Sequence, residues 1–491
     1  MSCELETGNI IKDIQGREYK IIRKLSEGAQ GRIYEVDHNR IAKVNYVKSD
    51  NRDRILKQLN WIMKQNIPDE ARIAKPLAIL ENPYTGYIMQ KVPEDYESLS
   101  KYIKINSKYS FSEWFNDVTG GLKKRLQIGI QIAKSLRSIH FEGLTYCDLS
   151  PNNILVSPTK NSIAIIDVDN LTATGIFSPD ILGTPGYIAP ELFSDSRQPN
   201  SLSDAYSYAV MLFEMLCLGH PLVGDSIIQD TPEAEEDAMK GNAVYVNHPE
   251  NDTNRNSLVS KMMIFLTEKL KELFDRSFNE GLHNPLCRPS LKDYIDVLEE
   301  ALDQLIVCKN PECGGSYLYN NEETVKCPFC KNEVDNVDHL KFYRKTNVKG
   351  FELIDSDNIG QMKDFEPVVD STYLLVINKE IIYLRKRHFD TFIHANADDK
   401  VLKIIKRGPK AYTVTALDSK LALYIKNKGK KPALMTVGQE YDFLYAETAI
   451  LFKPNSNLID GGALEMDSFR TGCNPTDASD MIVLEYVAIY Y

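Results

Sequence analysis

The chain has 491 residues, more than one ordinary hydrophobic core accommodates, so about three domains are expected. Hydrophobic residues make up 43% and charged residues 26% of the sequence, as in a soluble globular protein, and a net charge of -11 argues against non-specific nucleic-acid binding as the main role. The polar first 16 residues do not resemble a signal peptide, and no run reaches the roughly 20 apolar residues of a membrane-spanning helix. The nine cysteines are unevenly spaced, which favours a reducing cytoplasm over a disulfide framework.

The first structured region is predicted to be a small β-rich lobe. Runs of β-branched and aromatic residues, separated by Gly, Asp and Asn, predict five strands, over residues 19–25, 32–36, 40–47, 74–80 and 87–92. Between the third and fourth runs, Ile55, Leu59 and Ile62 recur at helical spacing and predict one helix before Pro68.

From about residue 96 to residue 306 the pattern is helical. An apolar stripe over residues 122–139 predicts one helix, residues 206–218 predict a buried core helix, and residues 293–305 predict the last helix of this region. A cysteine-containing segment and then a polar linker follow.

From about residue 372 the chain is again predicted to form β-strands. Tyr412, Val414 and Ala416 alternate with polar residues, and this period of two is typical of strands. Residues 454–480 are rich in Gly, Pro, Asn and Asp and predict a long loop, and residues 481–491 predict a closing strand.

The most informative motif lies near the middle of the chain. Asp148 is followed five positions later by Asn153, and the apolar run 163–166 leads into a second acid, Asp167. Residues 183–191 come next and end in Ala-Pro-Glu. In this order an Asp can orient a hydroxyl group, while an Asn and an Asp can hold Mg²⁺ beside a triphosphate, so the motif predicts phosphoryl transfer from ATP.

Residues that contact phosphate groups are predicted in the N-terminal lobe. Ser26, Gly28 and Gly31 lie in a turn between the first two strands, where glycines let backbone N–H groups approach phosphate oxygens. Because Ser26 stands where the first Gly of such a turn is usual, the turn by itself is equally typical of an ordinary hairpin. Lys43 follows 12 residues after Gly31, on the third strand, and can contact the α- and β-phosphates.

These residues together resemble a known family. Residues 17–305 resemble the eukaryotic-type protein kinase fold, which implies two lobes, over residues 17–92 and 93–305, and ATP and Mg²⁺ as cofactors. Within them, residues 147–153 and 220–224 are similar to bacterial kinase-like proteins, some of which are associated with tellurite resistance and stress systems.

The resemblance also implies roles for individual residues. Asp148 matches the acid that accepts the proton of the substrate hydroxyl, and Asn153 and Asp167 match the two magnesium ligands. Met89 matches the residue at the back of the adenine pocket, with Gln90 and Val92 at the two ends of the hinge.

Other residues of the resemblance are structural. Asp204 matches a buried acid that braces the catalytic loop, and Glu191 is expected to form a salt bridge with Arg288. Thr184 stands where Ser/Thr kinases carry a Thr near the catalytic Asp, which favours Ser and Thr substrates over Tyr.

The chain departs from the family pattern at several positions. No Glu lies between Asn45 and Asp69 to pair with Lys43, so Gln58 is the positional counterpart and another group is expected to hold the lysine. Asp169 replaces a Gly two residues after Asp167, and Ser150 replaces a Lys.

Tyr146 and Cys147 replace the usual His-Arg before Asp148. Without that Arg a phosphorylated activation loop has no counter-charge, so phosphorylation of the loop is not expected to be required for activity.

Four cysteines predict a structural zinc site. Cys308 and Cys313 form one pair, Cys327 and Cys330 form the other, and 13 residues separate the pairs. Two such knuckles can bind one tetrahedral Zn²⁺ and leave no open coordination position. The segment 306–335 resembles a zinc ribbon; four free thiols are the alternative.

Residues 345–491 are predicted to form a β-rich domain, part of which resembles a forkhead-associated β-sandwich. That resemblance implies phosphothreonine binding, in which Arg385 or Arg387 and Ser419 would take part. A Lys-rich stretch over residues 400–431 can bind an anion, although a solvated strand face is the favoured interpretation.

The sequence as a whole predicts a multidomain α+β protein of the cytoplasm: a bilobal kinase, then a zinc ribbon, then an all-β sandwich. It predicts a Mg²⁺-dependent Ser/Thr kinase that transfers the γ-phosphoryl group of ATP to proteins. Its partners would be protein substrates and a cognate phosphatase or other phosphoprotein, but neither a membrane nor nucleic acid. A nucleotide-binding pseudokinase scaffold is the main alternative, and a small-molecule phosphotransferase is the second.

Overall fold

The fold was analysed in a computed structural model, in which the chain forms two compact units. One unit comprises residues 1–302 and 314–318, and the other comprises residues 303–313 and 319–491. The structure describes residues 4–28, 31–46, 52–173, 183–194, 198–319, 324–335, 337–348, 373–377, 379–389, 399–408, 411–418, 423–427, 433–444, 448–452 and 481–490.

The first unit begins with a six-stranded antiparallel sheet in the order β1-β2-β3-β4-β6-β5. The strands are β1 Ile10–Lys12, β2 Glu18–Glu27, β3 Gly31–Val36, β4 Arg40–Asn45, β5 Pro76–Ile79 and β6 Gly86–Gln90, and helix α1, Arg52–Met63, lies between β4 and β5 in sequence. The five predicted strands are confirmed as β2 to β6, but the sheet also contains a sixth strand, β1, that the sequence did not predict. Strand β1 is too short to show an alternating pattern, because it has only three residues and Ile11 alone is buried. Ile11 pairs with Tyr19 of β2.

A glycine fixes the spacing of two interior strands, β4 and β6. Gly86 opens β6 with φ +151°, and a Cβ there would lie 1.9 Å from the carbonyl oxygen of Lys43. Only glycine permits so close an approach. On one face of the sheet, α1 contributes to a buried cluster formed by Ile41, Leu59, Ile79, Tyr87 and Met89.

The remainder of the first unit is mainly helical. Its helices are α2 Gly121–Phe141, α3 Ser201–Cys217, α4 Asp225–Ile228, α5 Pro232–Asp237, α6 Ser257–Met262, α7 Glu268–Asp275, α8 Gly281–His283 and α9 Leu291–Asp303. Its short strands are β7 Glu97–Ser98, β8 Leu144–Thr145, β9 Ile154–Val156, β10 Ile163–Ile165 and β11 Thr172–Ala173. The predicted helices at 122–139, 206–218 and 293–305 are confirmed as α2, α3 and α9.

The start of α3 is fixed by a capping box. The side chain of Asn200 accepts from the backbone N–H groups of Leu202 and Ser203, and the Ser203 hydroxyl accepts from the backbone N–H of Asn200. Such caps satisfy amides that have no partner within the helix. The cap places Asp204 in the first turn of this buried helix.

Helix α2 carries an arginine in the interior. Arg125 is 0% exposed, and its guanidinium lies 4.0 Å from the ring centroid of Phe115. It donates hydrogen bonds to the carbonyl oxygens of Tyr102, Phe115, Gly121 and Met215. Burial lowers the pKa of Arg125 to about 9, so the group stays charged at neutral pH and joins four backbone segments.

Four short strands follow α9 in sequence: β12 Leu305–Val307, β13 Ser316–Leu318, β14 Thr324–Lys326 and β15 Glu333–Asp335. Strands β14 and β15 pair as an antiparallel hairpin, with Val325 opposite Val334.

The rest of the second unit consists mainly of two antiparallel sheets. Their strands are β16 His339–Val348, β17 Tyr373–Val376, β18 Ile381–Arg385, β19 Lys400–Gly408, β20 Ala411–Ala416, β21 Leu423–Asn427, β22 Ala433–Leu434, β23 Glu440–Leu444, β24 Thr448–Phe452 and β25 Met481–Tyr490, with helix α10, Lys386–Phe389, between β18 and β19. The orders are β17-β16-β25-β24-β21-β22 and β18-β19-β20-β23. Leu340 and Ile450 of the first sheet share one buried cluster with Leu402 and Val414 of the second.

Two expectations for this unit need correction. The stretch predicted as a polar linker contains the ten-residue strand β16, whose sequence includes Lys341, Arg344 and Lys345 and does not alternate regularly between polar and apolar residues. The predicted closing strand is β25, but it lies inside its sheet, between β16 and β24. The predicted loop at 454–480 lies outside the described residues.

One of the two arginines expected to bind phosphothreonine has an acidic partner within its own unit. Arg387 forms a salt bridge with Asp303, with Nη1 2.8 Å from Oδ2. The Nε2 of His388 lies 3.1 Å from the same carboxylate oxygen, and its Nδ1 accepts from the backbone N–H of Arg385. A phosphate group at Arg387 would therefore compete with Asp303, and Ser419 lies outside the described residues.

Several cations of the Lys-rich stretch 400–431 also have partners. Lys400 lies 4.0 Å from the ring centroid of Tyr383, and Arg407 is 3.0 Å from Glu440. These contacts fit the favoured interpretation of an ordinary strand face.

Among the helices that the structure describes, none combines the length and apolar character needed to cross a membrane.

We predict that Arg125→Met lowers the free energy of unfolding of the first unit by about 3 kcal/mol or more, because the buried carbonyls lose their donor. Denaturation followed by tryptophan fluorescence measures this, since both tryptophans, Trp61 and Trp114, lie in that unit. Lys123→Met, on the exposed face of the same helix, is the control and should change little. Equal stability of the two variants would contradict the role assigned to Arg125.

Candidate active site

The glycine-containing turn joins β2 to β3. Ser26 lies near the end of β2, and the backbone N–H of Gly28 donates to the carbonyl of Gly31 at 2.9 Å. A Cβ on Gly31 would lie 2.3 Å from the carbonyl oxygen of Val44, so strand packing alone requires this glycine. Residues 29 and 30, at the tip, lie outside the described residues.

Lys43 is buried in the centre of the N-terminal sheet and meets two carboxylates. Its Nζ lies 2.6 Å from Oδ1 of Asp167 and 2.9 Å from Oδ2 of Asp169. Burial by itself would lower the pKa of Lys43, but the charges of Asp169 and Asp167 outweigh it and raise the pKa. The lysine is therefore held as a cation, and Asp169 is the carboxylate that the sequence left unidentified.

Gln58 of α1 lies at the position expected for the helix carboxylate, but it contacts a different group. Its Nε2 donates to the backbone carbonyl of Asp169 at 2.5 Å. The amide thereby connects α1 to the segment that carries the carboxylate partner of Lys43.

The catalytic loop is held by a buried acid. Asp204 accepts from the backbone N–H groups of Tyr146, at 2.8 Å, and Cys147, at 2.9 Å, and His140 lies 2.9 Å from the same carboxylate. Cys147 has φ +73°, a left-handed conformation that is unfavourable for this residue type and is stabilised by these bonds. The predicted bracing role of Asp204 is confirmed.

Tyr146 connects this loop to the segment that carries Asp167. Its hydroxyl is hydrogen-bonded to the carbonyl oxygens of Ile166 and Asp167, the latter at 3.1 Å. The backbone N–H of Ile166 also donates to the carbonyl of Asn153 at 2.9 Å. The replacement of His by Tyr therefore preserves a side-chain connection between the two segments.

Asp148 lies between an amide and a hydroxyl. Thr184 Oγ1 donates to Asp148 Oδ1 at 2.7 Å, and Asn153 Nδ2 donates to the Asp148 carbonyl at 2.9 Å. The pKa of Asp148 is raised, chiefly by burial and also by the charge of Asp167. The predicted closeness of Thr184 and Asp148 is confirmed.

The residues expected around the adenine ring follow one another along β6 and its exit. Met89 is buried, Gln90 is the exposed last residue of β6, and Val92 is half-buried just beyond it. The backbone N–H of Lys91 donates to the carbonyl of Asn39, which ties this exit to the turn before β4.

The segment after Thr184 is fixed to the helical lobe at three points. His220 Nε2 donates to the carbonyl of Gly186 at 2.9 Å, Ser207 donates to the carbonyl of Tyr187 at 2.6 Å, and the Tyr187 hydroxyl donates to Glu214. Burial lowers the pKa of His220 to about 4, so the ring is neutral near pH 7.

The end of this segment is fixed by the predicted salt bridge. Glu191 and Arg288 form two parallel hydrogen bonds of 2.7 Å, which confirms the expected pair. A bidentate buried pair of this kind fixes both position and orientation.

The comparisons with known proteins agree with this geometry. A family model described as "Protein kinase domain" matches residues 19–286, more than half of the chain. The chain belongs to the protein kinase family. The first unit contains the whole matched region, which we call the kinase domain.

Similar curated proteins are named dual serine/threonine and tyrosine protein kinases. One from Tetraodon nigroviridis is 24% identical over 300 residues, and one from Mus musculus is 27% identical over 191 residues. These matches cover 60% and 39% of this chain but 29% and 18% of the relatives, so the chain spans less than a third of their length.

Beyond the kinase domain, the four predicted cysteines come together. Cys308 Sγ lies 3.5 Å from Cys330 Sγ, Cys313 Sγ lies 3.7 Å from Cys327 Sγ, and all four sulfur atoms lie within 4.8 Å of one another. The backbone N–H of Asn332 lowers the pKa of Cys330 to about 7, whereas burial raises the pKa of Cys308 to about 12.

Sequence reasoning missed two features of the kinase domain. It treated Asp169 only as an unusual replacement of Gly. The extra acid near Asp167 and the missing acid in α1 together could have predicted that Asp169 pairs with Lys43. It also gave no role to Glu214, because nothing in its spacing shows that it meets Tyr187, 27 residues away.

We predict that Glu214 makes the kinase domain less stable as pH rises. Burial raises the pKa of Glu214 from 4.5 to about 7, so its contribution is fully present below pH 4.5 and is lost as pH rises through 7. Between pH 5 and pH 8 the wild type should lose up to about 3 kcal/mol relative to Glu214→Gln, measured by fluorescence-detected denaturation. Glu272→Gln, at an exposed position, is the control. Parallel pH profiles of wild type and Glu214→Gln would contradict the prediction.

Proposed function

We propose that this protein is a Mg²⁺-dependent protein kinase that transfers the γ-phosphoryl group of ATP to serine or threonine hydroxyls of other proteins. The observation that carries the proposal is the meeting of Lys43 with Asp167 across the two lobes, next to a loop that presents Asp148. A pseudokinase scaffold would not need all of these groups in contact.

Lys43, Asp167 and Asn153 would bind the triphosphate and its cation. Lys43 would contact the phosphates through its ammonium group, and Ser26, Gly28 and Gly31 would lie over them. Asp167 has 27% of its side chain exposed, and Asn153 uses its nitrogen to bond Asp148, so its Oδ1 is the atom that can bind a cation. Oxygen ligands of this kind suit Mg²⁺, which would neutralise charge on the phosphates.

Asp148 would orient the acceptor. Its Oδ1 is bonded to Thr184, which leaves Oδ2 to accept the proton of the substrate hydroxyl while that oxygen bonds to the γ-phosphorus and ADP departs. The Thr184 contact supports Ser and Thr as acceptors, whereas the names of the relatives include tyrosine.

We predict that Asp148→Asn lowers phosphoryl transfer by about 100-fold or more, because the acceptor hydroxyl loses its base. Radiolabelled ATP and a mixed protein substrate measure the transfer, and phosphoamino-acid analysis should find label on Ser and Thr. Asp53→Asn, at an exposed position near the start of α1, is the control and should keep full activity.

Three outcomes would contradict parts of this proposal. Equal labelling by wild type and Asp148→Asn would favour the scaffold function. Label on Tyr would show dual specificity. Label on small molecules but not on protein would indicate a metabolite phosphotransferase.

We also propose that the four cysteines bind one structural Zn²⁺. A tetrahedral ion with Zn–S bonds of about 2.3 Å separates its sulfur ligands by about 3.8 Å. The Sγ–Sγ separations of 3.5 Å and 3.7 Å in the structure support this geometry. The segment would then serve as a zinc ribbon that recruits partners or restrains the kinase.

We predict one zinc ion per wild-type chain and its loss in Cys313→Ser, measured by metal analysis of protein purified under reducing conditions. Cys287→Ser is the control, because Cys287 lies outside the cluster and should leave zinc content unchanged. A wild type that takes up no zinc when it is supplied would favour four free thiols.

The remaining assignments stay proposals. They are membership of the bacterial subfamily, a cytoplasmic location, a forkhead-associated-like fold over residues 345–491, and a cognate phosphatase or other phosphoprotein as partner. The same holds for activity without phosphorylation of the activation loop.

A further inference from the structure

A buried lysine needs charged partners, and the structure gives Lys43 two that are not equivalent. Only 5% of the Lys43 side chain is exposed, against 27% for Asp167 and 15% for Asp169. An ammonium group removed from water is costly unless it is paired. Asp167 is the more exposed acid and the one proposed to bind Mg²⁺, so Asp169 is the carboxylate that remains for Lys43 when the cation binds.

Asp169 is held in place by two elements of the N-terminal lobe, β4 and α1. Its Oδ2 accepts from Asn45 Nδ2 at 3.3 Å, and its backbone carbonyl accepts from Gln58 at 2.5 Å. The next backbone turn is closed by a bond from the N–H of Leu171 to the carbonyl of Val168, at 2.9 Å. The bond from Asn45 holds the carboxylate itself, and the other two bonds hold the backbone that carries it; none of the three involves Asp167.

Helix α1 has no acid that could serve instead. Its sequence from Arg52 to Met63 contains one acidic residue, Asp53, in the first turn, and Gln58 lies where α1 meets the loop. A Glu at position 58 would direct a second negative charge at the Asp169 segment, whereas the Gln amide donates to it. The negative charge and the amide are thus complementary: the loop carries the charge and the helix carries the donor.

We propose that Asp169 is the positioning residue for Lys43, and that it takes over the orienting role for which α1 offers no acid. This inference rests on the proposed kinase function and adds a residue to its machinery. In this arrangement the orientation of the lysine depends on the loop that also carries Asp167, while α1 acts only through the neutral bond from Gln58.

We predict that Asp169→Asn lowers kcat/KM for ATP by about 10- to 100-fold, because Lys43 loses its fixed partner while side-chain size is kept. The double variant Asp169→Asn/Gln58→Glu, which returns a carboxylate to the helix, should recover at least about 10-fold of that loss. Gln58→Glu by itself should reduce activity, since it places two acids side by side. Asp53→Asn, with the same chemical change in α1, should match the wild type.

The Mg²⁺ dependence separates positioning from metal binding. If Asp169 positions Lys43, any rise in the Mg²⁺ concentration for half-maximal activity in Asp169→Asn comes from Lys43 competing for Asp167, and Gln58→Glu reverses it. A rise in that concentration, without rescue by Gln58→Glu, would make Asp169 a metal ligand and overturn the proposal. Full activity of Asp169→Asn would overturn it as well.

Binding of a non-hydrolysable ATP analogue at saturating Mg²⁺ tests the same contact without any reaction. Lys43→Met and Asp169→Asn should weaken nucleotide binding by similar factors. The variant Lys43→Met/Asp169→Asn should bind no more weakly than either single variant. A wild type that binds ATP but labels no protein would contradict the proposed kinase function. The binding test of Asp169 as the partner of Lys43 would still apply. Wild-type affinity in Asp169→Asn would contradict the positioning role even in an active kinase.

Discussion

The arrangement of the kinase domain depends on the need to compensate one buried positive charge. Lys43 lies in β4, an interior strand of the N-terminal sheet, where Gly86 of the neighbouring strand approaches its carbonyl too closely for any side chain. The ammonium group pairs with two acids that lie 124 and 126 positions later in the sequence. Because an unpaired buried charge is so unfavourable, this contact fixes the segment after β10 against the N-terminal lobe.

A second layer of polar contacts carries that constraint to the catalytic loop. Asp204, in the capped first turn of α3, holds two successive backbone amides of the loop, and Tyr146 bonds the carbonyls that precede Val168. These bonds keep Asp148 beside Thr184 although the residues before Asp148 differ from the usual pair. The chemistry of the site is thus preserved by contacts to backbone groups, which many side chains can make.

The second unit is stabilised by two different kinds of contact, one local and one between distant segments. Its cysteine cluster is built from short loops, so the spacing within each pair nearly determines the geometry. Its larger sheet instead relies on pairing between distant segments, because β25 lies between β16 and β24. Arg387 shows how such packing changes a functional expectation, since a residue expected to bind phosphate forms a salt bridge with Asp303.

The sequence by itself determined the features that depend on local spacing. The Asp148-Asn153-Asp167 order, the long helices and the cysteine knuckles follow from residue type and short intervals. The Glu191–Arg288 pair, 97 residues apart, was expected from the resemblance to the kinase fold. It also showed that α1 lacks an acid. Only the tertiary structure decided that Asp169 supplies the carboxylate, that Glu214 meets Tyr187, and that β25 is an interior strand. These contacts join residues far apart in the chain, and their partners are chosen by packing and by the cost of burying charge, which no local pattern encodes.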